Sequence, residues 1–297
     1  HILGACSIAL DIGGKRIVFS GDIGRYGEPI LVDPMPAQLG DILVMESTYG
    51  DRVHPMVDTE EMLAEVVTGT AKHGGIVLIP SFAVGRTQTL LYHLRELKKA
   101  KRIPDIPVIV DSPMALDATD IYRRHIDEYD AESRGLLNSG FHPFTLPKLY
   151  FIRERAESIA LNSIDEPMIL ISASGMLSGG RVLHHLKNRV SDPRNTVLFV
   201  GFQPPGSRGY WLKKGSETIR ILGEEIPVRA RIAEISGLSA HADRNELLRW
   251  ARSCVGTPGK VAIVHGESEA AQSFAGDLKR EFGWNVIIPT YGETVEV

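Results

Sequence analysis

Short apolar runs rich in β-branched residues recur along the chain. Each is closed by small or polar residues and followed by sequence with helical spacing. The pattern appears in "GGIVLIPSFAVGRTQTLLYHL", "IPVIVDSPMALDAT", "PMILISASGMLSGGRVLHHL" and "NTVLFVGFQPPGSRGYWL". Such runs read as buried strands, and their alternation with helices predicts βα units on a mainly parallel sheet flanked by helices. The stretch "TEEMLAEVVTGTAKHGG" predicts a helix with Thr59 near its start and the glycine pair as its stop. Most of the alternation lies between residues 56 and 231. The flanks, 1–55 and 232–297, are shorter and strand-rich, the second ending in strand, helix, strand. The pattern predicts an α/β protein in which one domain is interrupted by another. No internal repeat or low-complexity tract stands out.

Polar residues fall where the apolar runs stop: Asp22, Glu46, Ser81, Asp111, Ser172, Ser174, Gln203, His241 and His265. In open α/β sheets ligands bind outside the carboxyl ends of strands. A site built from these residues would be assembled by the fold and not by one local motif. Asp22, in "RIVFSGDIGRYG", is the simplest case. Alone it reads as a turn residue, because an Asp side chain bonds to nearby backbone.

Composition narrows the class without naming a function. The chain has 297 residues, 43% hydrophobic and 24% charged, as in ordinary globular proteins. No apolar run is long enough to span a bilayer. Cys6 and Cys254 cannot make a disulfide framework, so reduced thiols in the cytoplasm are the simpler expectation. The net charge of −4 carries no global basic signature of nucleic-acid binding. Aromatic content of 7% argues against a stacking platform of RRM type. The chain opens "HILGACSIAL", with His1 leading directly into a strand-like run, no Met and no signal peptide. We expect it to be the downstream part of a longer protein.

His1, Asp22 and His265 each border an apolar strand and a glycine-containing turn, and they supply the nitrogen and oxygen donors that suit zinc. Taken singly, a His at a strand end is more often structural. No linear zinc pattern such as HExxH or CxxC is present. The ordered set of motifs says more. "HILGACSIAL", "FSGDIGR", "VMESTYGDRVH", "IPSFAVGRTQTLLYHL", "ISASGMLSGGRVLHHL", "ISGLSAHADRNELLRW" and "VAIVHGESEA" together resemble the β-CASP branch of the metallo-β-lactamase superfamily, zinc nucleases that process RNA. The resemblance covers essentially the whole chain. It implies the C-terminal part of a metallo-β-lactamase αββα fold over 1–55 and 232–297, interrupted by a β-CASP domain over 56–231.

Residue by residue, the resemblance implies that His1 ligates a first zinc ion, Asp22 bridges two, and His265 ligates the second. Glu46 and His241 would form a catalytic pair, with His241 the proton donor to the leaving oxygen. The chemistry is consistent. Phosphodiester hydrolysis needs stabilisation of charge on phosphoryl oxygens and an activated water, which paired metals supply. The leaving ribose oxygen needs a proton, which a histidine oriented by a carboxylate provides. The local alternatives are a turn acid for Glu46 and a residue near a helix start for His241, with Asp243 in the first turn. The family's His-x-His-x-Asp-His motif is absent from the ten histidines present, so a complete dinuclear site is expected to draw on residues upstream of His1. A second departure is Tyr210, where the family often has arginine, although Arg208 is close by.

"PSFAVGR" and "SASGMLSGG" place small residues just before helices, where backbone N–H groups bind anions. Ser81, Arg86, Ser172 and Ser174 are therefore candidate phosphate contacts, with helix capping as the plain alternative. The basic runs Arg95–Arg102 and Arg181–Arg189 read by default as solvated helix faces. The first, following Arg86, is also a candidate for RNA backbone contact. The expected function is a zinc-dependent ribonuclease with RNA in the cleft between its two domains. Another hydrolase of the metallo-β-lactamase fold and a non-catalytic RNA-processing subunit are the alternatives. The resemblance leaves a homodimer open.

Overall fold

The computed structural model describes residues 1–296. The chain divides into two compact units, His1–His54 with Ala240–Val297, and Pro55–Ser239.

In the first unit, β1 (Ile8–Ile12) and β2 (Lys15–Phe19) form an antiparallel hairpin, and β3 is Ile42–Glu46. The second unit contributes α1 (Thr59–Lys72), β4 (Val77–Pro80), α2 (Arg86–Lys99), β5 (Val108–Asp111), α3 (Pro113–Arg124), α4 (Ala131–Asn138), β6 (Leu149–Phe151), α5 (Arg155–Ala160), β7 (Ile169–Ser172), α6 (Arg181–Arg189), β8 (Thr196–Phe199), α7 (Arg208–Lys213), β9 (Thr218–Ile221), β10 (Glu224–Pro227) and β11 (Arg231–Glu234). The chain then returns to the first unit with α8 (Arg244–Ser253), β12 (Lys260–Val264), α9 (Ser268–Phe282) and β13 (Val286–Ile287).

The first sheet has the order β1-β2-β3-β12-β13, with every pair after the hairpin parallel. Helices cover one face of its central strands, whereas Phe19 and Val264 on the opposite face are exposed. Leu43, Met45, Val261 and Ile263 pack with Leu247, Trp250, Phe274 and Leu278 of α8 and α9 in one core. Helix α8 starts at a capping box: Asp243 accepts from the Glu246 amide, and Glu246 accepts from the Asp243 amide. The acid expected in that first turn is thus its cap, and His241 lies outside the helix.

The second sheet has the order β11-β8-β4-β7-β5-β6 and is parallel throughout. Its core joins Leu78, Leu170, Val197 and Phe199 of the strands to Val182, Leu183 and Leu186 of α6. Helix α1 begins at Thr59 with Asp58 as its cap, and Gly74, just beyond its end, takes the positive φ of 70° that glycine adopts freely. Residues Arg231–Glu234 supply β11, an edge strand parallel to β8, and the first unit resumes at Ala240.

Candidate metal centre

Strand register brings the first unit's acids and histidines together. Phe19 lies opposite Val44, and Val264 lies opposite Glu46. The chain therefore leaves β2, β3 and β12 at one edge of the sheet, carrying Asp22, Glu46 and His265. His265 itself has φ 50°, in the left-handed region. The next residue, Gly266, passes so close to Ser47 that a Cβ would lie 2.4 Å from its Oγ. His241 reaches the edge along a different path. Gly24 and His241 form an antiparallel bridge, and the Ala242 amide donates to Ile23 O at 2.9 Å.

One potential ligand atom from each of Asp22, Glu46, His241 and His265 lies within 4.8 Å of the other three. His1 joins them from the start of the chain. Its Nε2 is 3.5 Å from Asp22 Oδ2, while His265 Nδ1 is 3.3 Å from Asp22 Oδ1. Each oxygen of Asp22 thus faces a different histidine. The His1 and His241 rings are 4.3 Å apart between centroids, and those of His241 and His265 5.7 Å.

Glu46 is buried, and each of its carboxylate oxygens is engaged. One accepts from the Ile23 amide, and the other accepts from Thr48 Oγ1 at 2.6 Å and lies 3.2 Å from His241 Nδ1. A buried carboxylate with this many donors is fixed in place. The donor set fits zinc. It offers imidazole nitrogens and carboxylate oxygens, the ligands zinc takes. Among the described residues no hydrogen-bond partner meets the buried His1 Nδ1, so this imidazole is not committed to a structural hydrogen bond there.

The phosphate candidates lie in the second unit and fare differently. Ser81 is buried, donates to Phe82 O and shares a bond with Thr87. Arg86 is buried and donates to Val200 O. Ser172 is buried and donates to Asp111 O at 3.0 Å. These three side chains are engaged inside the sheet and helix packing. Ser174 is half-buried, and its hydroxyl bonds within its own turn, to Ser178 Oγ at 3.0 Å and Gly179 O at 3.4 Å, and not into the sheet.

The basic runs are not solvated faces throughout. Arg95 is buried, Lys98 donates to Ile106 O and Pro147 O, and Arg102 pairs with Glu60 and Glu61. In the second run, Arg181, His185 and Arg189 point into the protein. Arg208 also turns inward, donating to Leu177 O and Arg220 O.

Asp111 stands at the end of β5. It is fully buried and accepts from Arg181 at 2.7 Å, from Ser158 at 2.5 Å and from His185 Nε2 at 2.5 Å. Burial pushes its carboxyl up, but the bonds from His185, Ser158 and Arg181 together outweigh burial and hold it below the usual carboxylate range. The network continues through His185 Nδ1 to Asn162, which also accepts from Arg189.

Two further residues of the first unit reach this cluster: Thr48, which donates to Glu46, and His54, which contacts the backbone of His241. Both stand inside "ESTYGDRVH", and nothing in their type or spacing separates them from turn residues.

The fold and the donor cluster define a class: an α/β protein in which a parallel-sheet domain interrupts a smaller domain holding a candidate metal centre. Residues 87–212 match the Beta-Casp domain, and 225–289 match the Zn-dependent metallo-hydrolase RNA specificity domain. The whole chain is 39% identical to Ribonuclease TTHA0252 of Thermus thermophilus, covering 68% of that protein. It is 32% identical to an RNase J-like protein of Methanocaldococcus jannaschii, covering 69% of it. It is also 33% identical to the transcription termination factor FttA of Pyrococcus abyssi, spanning 47% of that longer protein. The chain belongs to the β-CASP family of the metallo-β-lactamase superfamily. Among the described residues no helix is long and apolar enough to cross a membrane.

Proposed function

We propose that this chain carries the catalytic residues of a metal-dependent ribonuclease that hydrolyses RNA phosphodiester bonds with water. The observation that carries the proposal is the convergence of Asp22, Glu46, His241 and His265, with ligand atoms within 4.8 Å of one another. Two zinc ions would be held by His1 and His265, with Asp22 shared between them, together with ligands from outside this set. Bound there, zinc supplies Lewis-acid stabilisation of phosphoryl oxygens and acidifies water.

The chain's own part is positional. Asp22 presents one oxygen toward His1 and the other toward His265. Glu46, fixed by Ile23 and Thr48, receives His241 Nδ1 and so aims the opposite edge of the ring. From that edge His241 delivers a proton to the departing ribose oxygen, while the Glu46 carboxylate compensates the charge of the imidazolium. Of the phosphate candidates only Ser174 is retained, because the other three side chains are engaged internally. Cys6 and Cys254 are free thiols, which suits the cytoplasm. A homodimer belongs to the same reading, and light scattering would read it.

Replacing His241 tests the proton donor. In the full natural polypeptide, His241→Ala should lower kcat on RNA by about 10²- to 10⁴-fold, the usual worth of a general acid. Turnover of bis(p-nitrophenyl) phosphate, whose leaving group departs without a proton, should be nearly unchanged. Equal losses on both substrates would remove His241 from that role.

A further inference from the structure

His241 sits in no helix or strand. It lies between a short 3-10 turn, Ser236–Leu238, and the cap of α8 at Asp243. A proton donor on such a segment needs its backbone held. One side is held by the bridge to Gly24. On the other side His54 Nε2 lies 3.0 Å from His241 O. A carbonyl only accepts, so the hydrogen is on His54 Nε2. His54 is itself fixed. Its amide donates to Asp243 Oδ2 at 2.9 Å, and the Tyr49 ring meets its ring edge-on at 4.9 Å. The same Tyr49 ring stands 6.2 Å from the His241 ring, and Tyr49 bridges Asp243 through the backbone. Farther along, the Arg244 amide donates to Arg52 O at 3.0 Å.

We propose that His54 is a positioning residue for His241: its imidazole clamps the His241 carbonyl and thereby sets the direction of the His241 ring against Glu46. One stretch, 46–54, then provides both the carboxylate that orients the ring and the donor that holds its backbone. The geometry is tight in a mechanical sense. Glu46 is fixed by Ile23 and Thr48, so the 3.2 Å contact with His241 Nδ1 depends on where the His241 backbone lies. Loss of the clamp lets that backbone drift, and proton delivery falls steeply with small displacements. His54 touches neither the proposed metal ligands Asp22 and His265 nor, in this role, the reacting atoms.

This inference rests on the ribonuclease reading, and its test separates the two. His54→Phe keeps a ring of similar size and removes the donor, whereas His54→Gln restores an N–H that can reach the carbonyl. In the zinc-loaded full natural polypeptide, His54→Phe should lower kcat on RNA by about 10- to 100-fold. KM, zinc content and turnover of bis(p-nitrophenyl) phosphate should be unchanged, and His54→Gln should recover most of the loss. Added to His241→Ala, His54→Phe should cause no further loss, because it acts only through that ring. If His54→Phe does not fold, His54→Asn, whose amide is too short to reach, takes its place. A wild-type kcat in the variant overturns the clamp, as does an equal loss on both substrates or an additive loss in the double variant. If the wild type cleaves neither substrate, the ribonuclease reading fails. The clamp is then read by site-resolved reaction of His241 with diethyl pyrocarbonate, which should speed up in His54→Phe and would overturn the clamp by staying at the wild-type rate.

Discussion

Replacing Asp22 by asparagine is expected to abolish zinc retention and to lower RNA cleavage by at least about 10³-fold, since Lewis-acid stabilisation is worth several kcal/mol and each 1.36 kcal/mol is about tenfold. Asparagine preserves the shape of the side chain, so the change isolates the charge and the second oxygen donor. Both matter here. Asp22 directs Oδ1 toward His265 and Oδ2 toward His1, and an amide nitrogen at either position cannot ligate a cation. The fold should survive, because the Asp22 side chain is partly exposed and outside the first unit's core. Zinc content and melting temperature, measured on the same preparation, check this. An Asp22→Asn variant that keeps its zinc and its activity would remove Asp22 from the metal site.

The second large effect lies in the other unit. Asp111→Leu is expected to destabilise it by about 3–5 kcal/mol, the cost of breaking a buried ion pair on one side only. Arg181, Ser158 and His185 would each lose the acceptor they share. For a unit of this size the melting temperature should fall by about 6–20 °C. The same network predicts a pH signature. The Asp111 carboxyl is held below its unfolded value, so its stabilisation is present above about pH 3.9 and is lost as pH falls through the depressed folded value. The gap in melting temperature between wild type and Asp111→Leu should therefore be widest near neutrality and close in acid. Scanning calorimetry across that range reads it, and a gap independent of pH would mean that packing and not charge carries the loss.

The two sites differ in how far sequence alone reveals them. The ends of β2, β3 and β12 are marked by apolar runs that stop at Asp22, Glu46 and His265, and parallel pairing places neighbouring strand ends together. That much follows from periodicity and turn chemistry. Pattern alone gave none of them a role: for Asp22, Glu46, His241 and His265 alike that came from the family resemblance, and His241 in addition belongs to no element, its partners being set by tertiary contacts. The second unit shows why strand-end polarity is an incomplete guide. Ser81, Asp111 and Ser172 end strands just as Glu46 does, yet helices packed against the sheet bury them. Burial of a strand end depends on what the following helix covers, and a local pattern does not encode that. Arg181 and Arg189 follow the same logic: a basic run on a helix looks solvated until one face meets Asp111 and Asn162. Strand β11 shows a related limit. Its alternation fits an edge strand, but the sheet it joins is decided by pairing with β8.

We propose that the cluster at the carboxyl edge of the first sheet runs metal-dependent RNA hydrolysis. It is tested most directly by RNA cleavage measured on the full natural polypeptide before chelation, after complete chelation, and after zinc is added back. Cleavage should disappear with the metal and return with zinc; cleavage that survives complete chelation, or that zinc fails to restore in a folded protein, would rule out this role for the cluster.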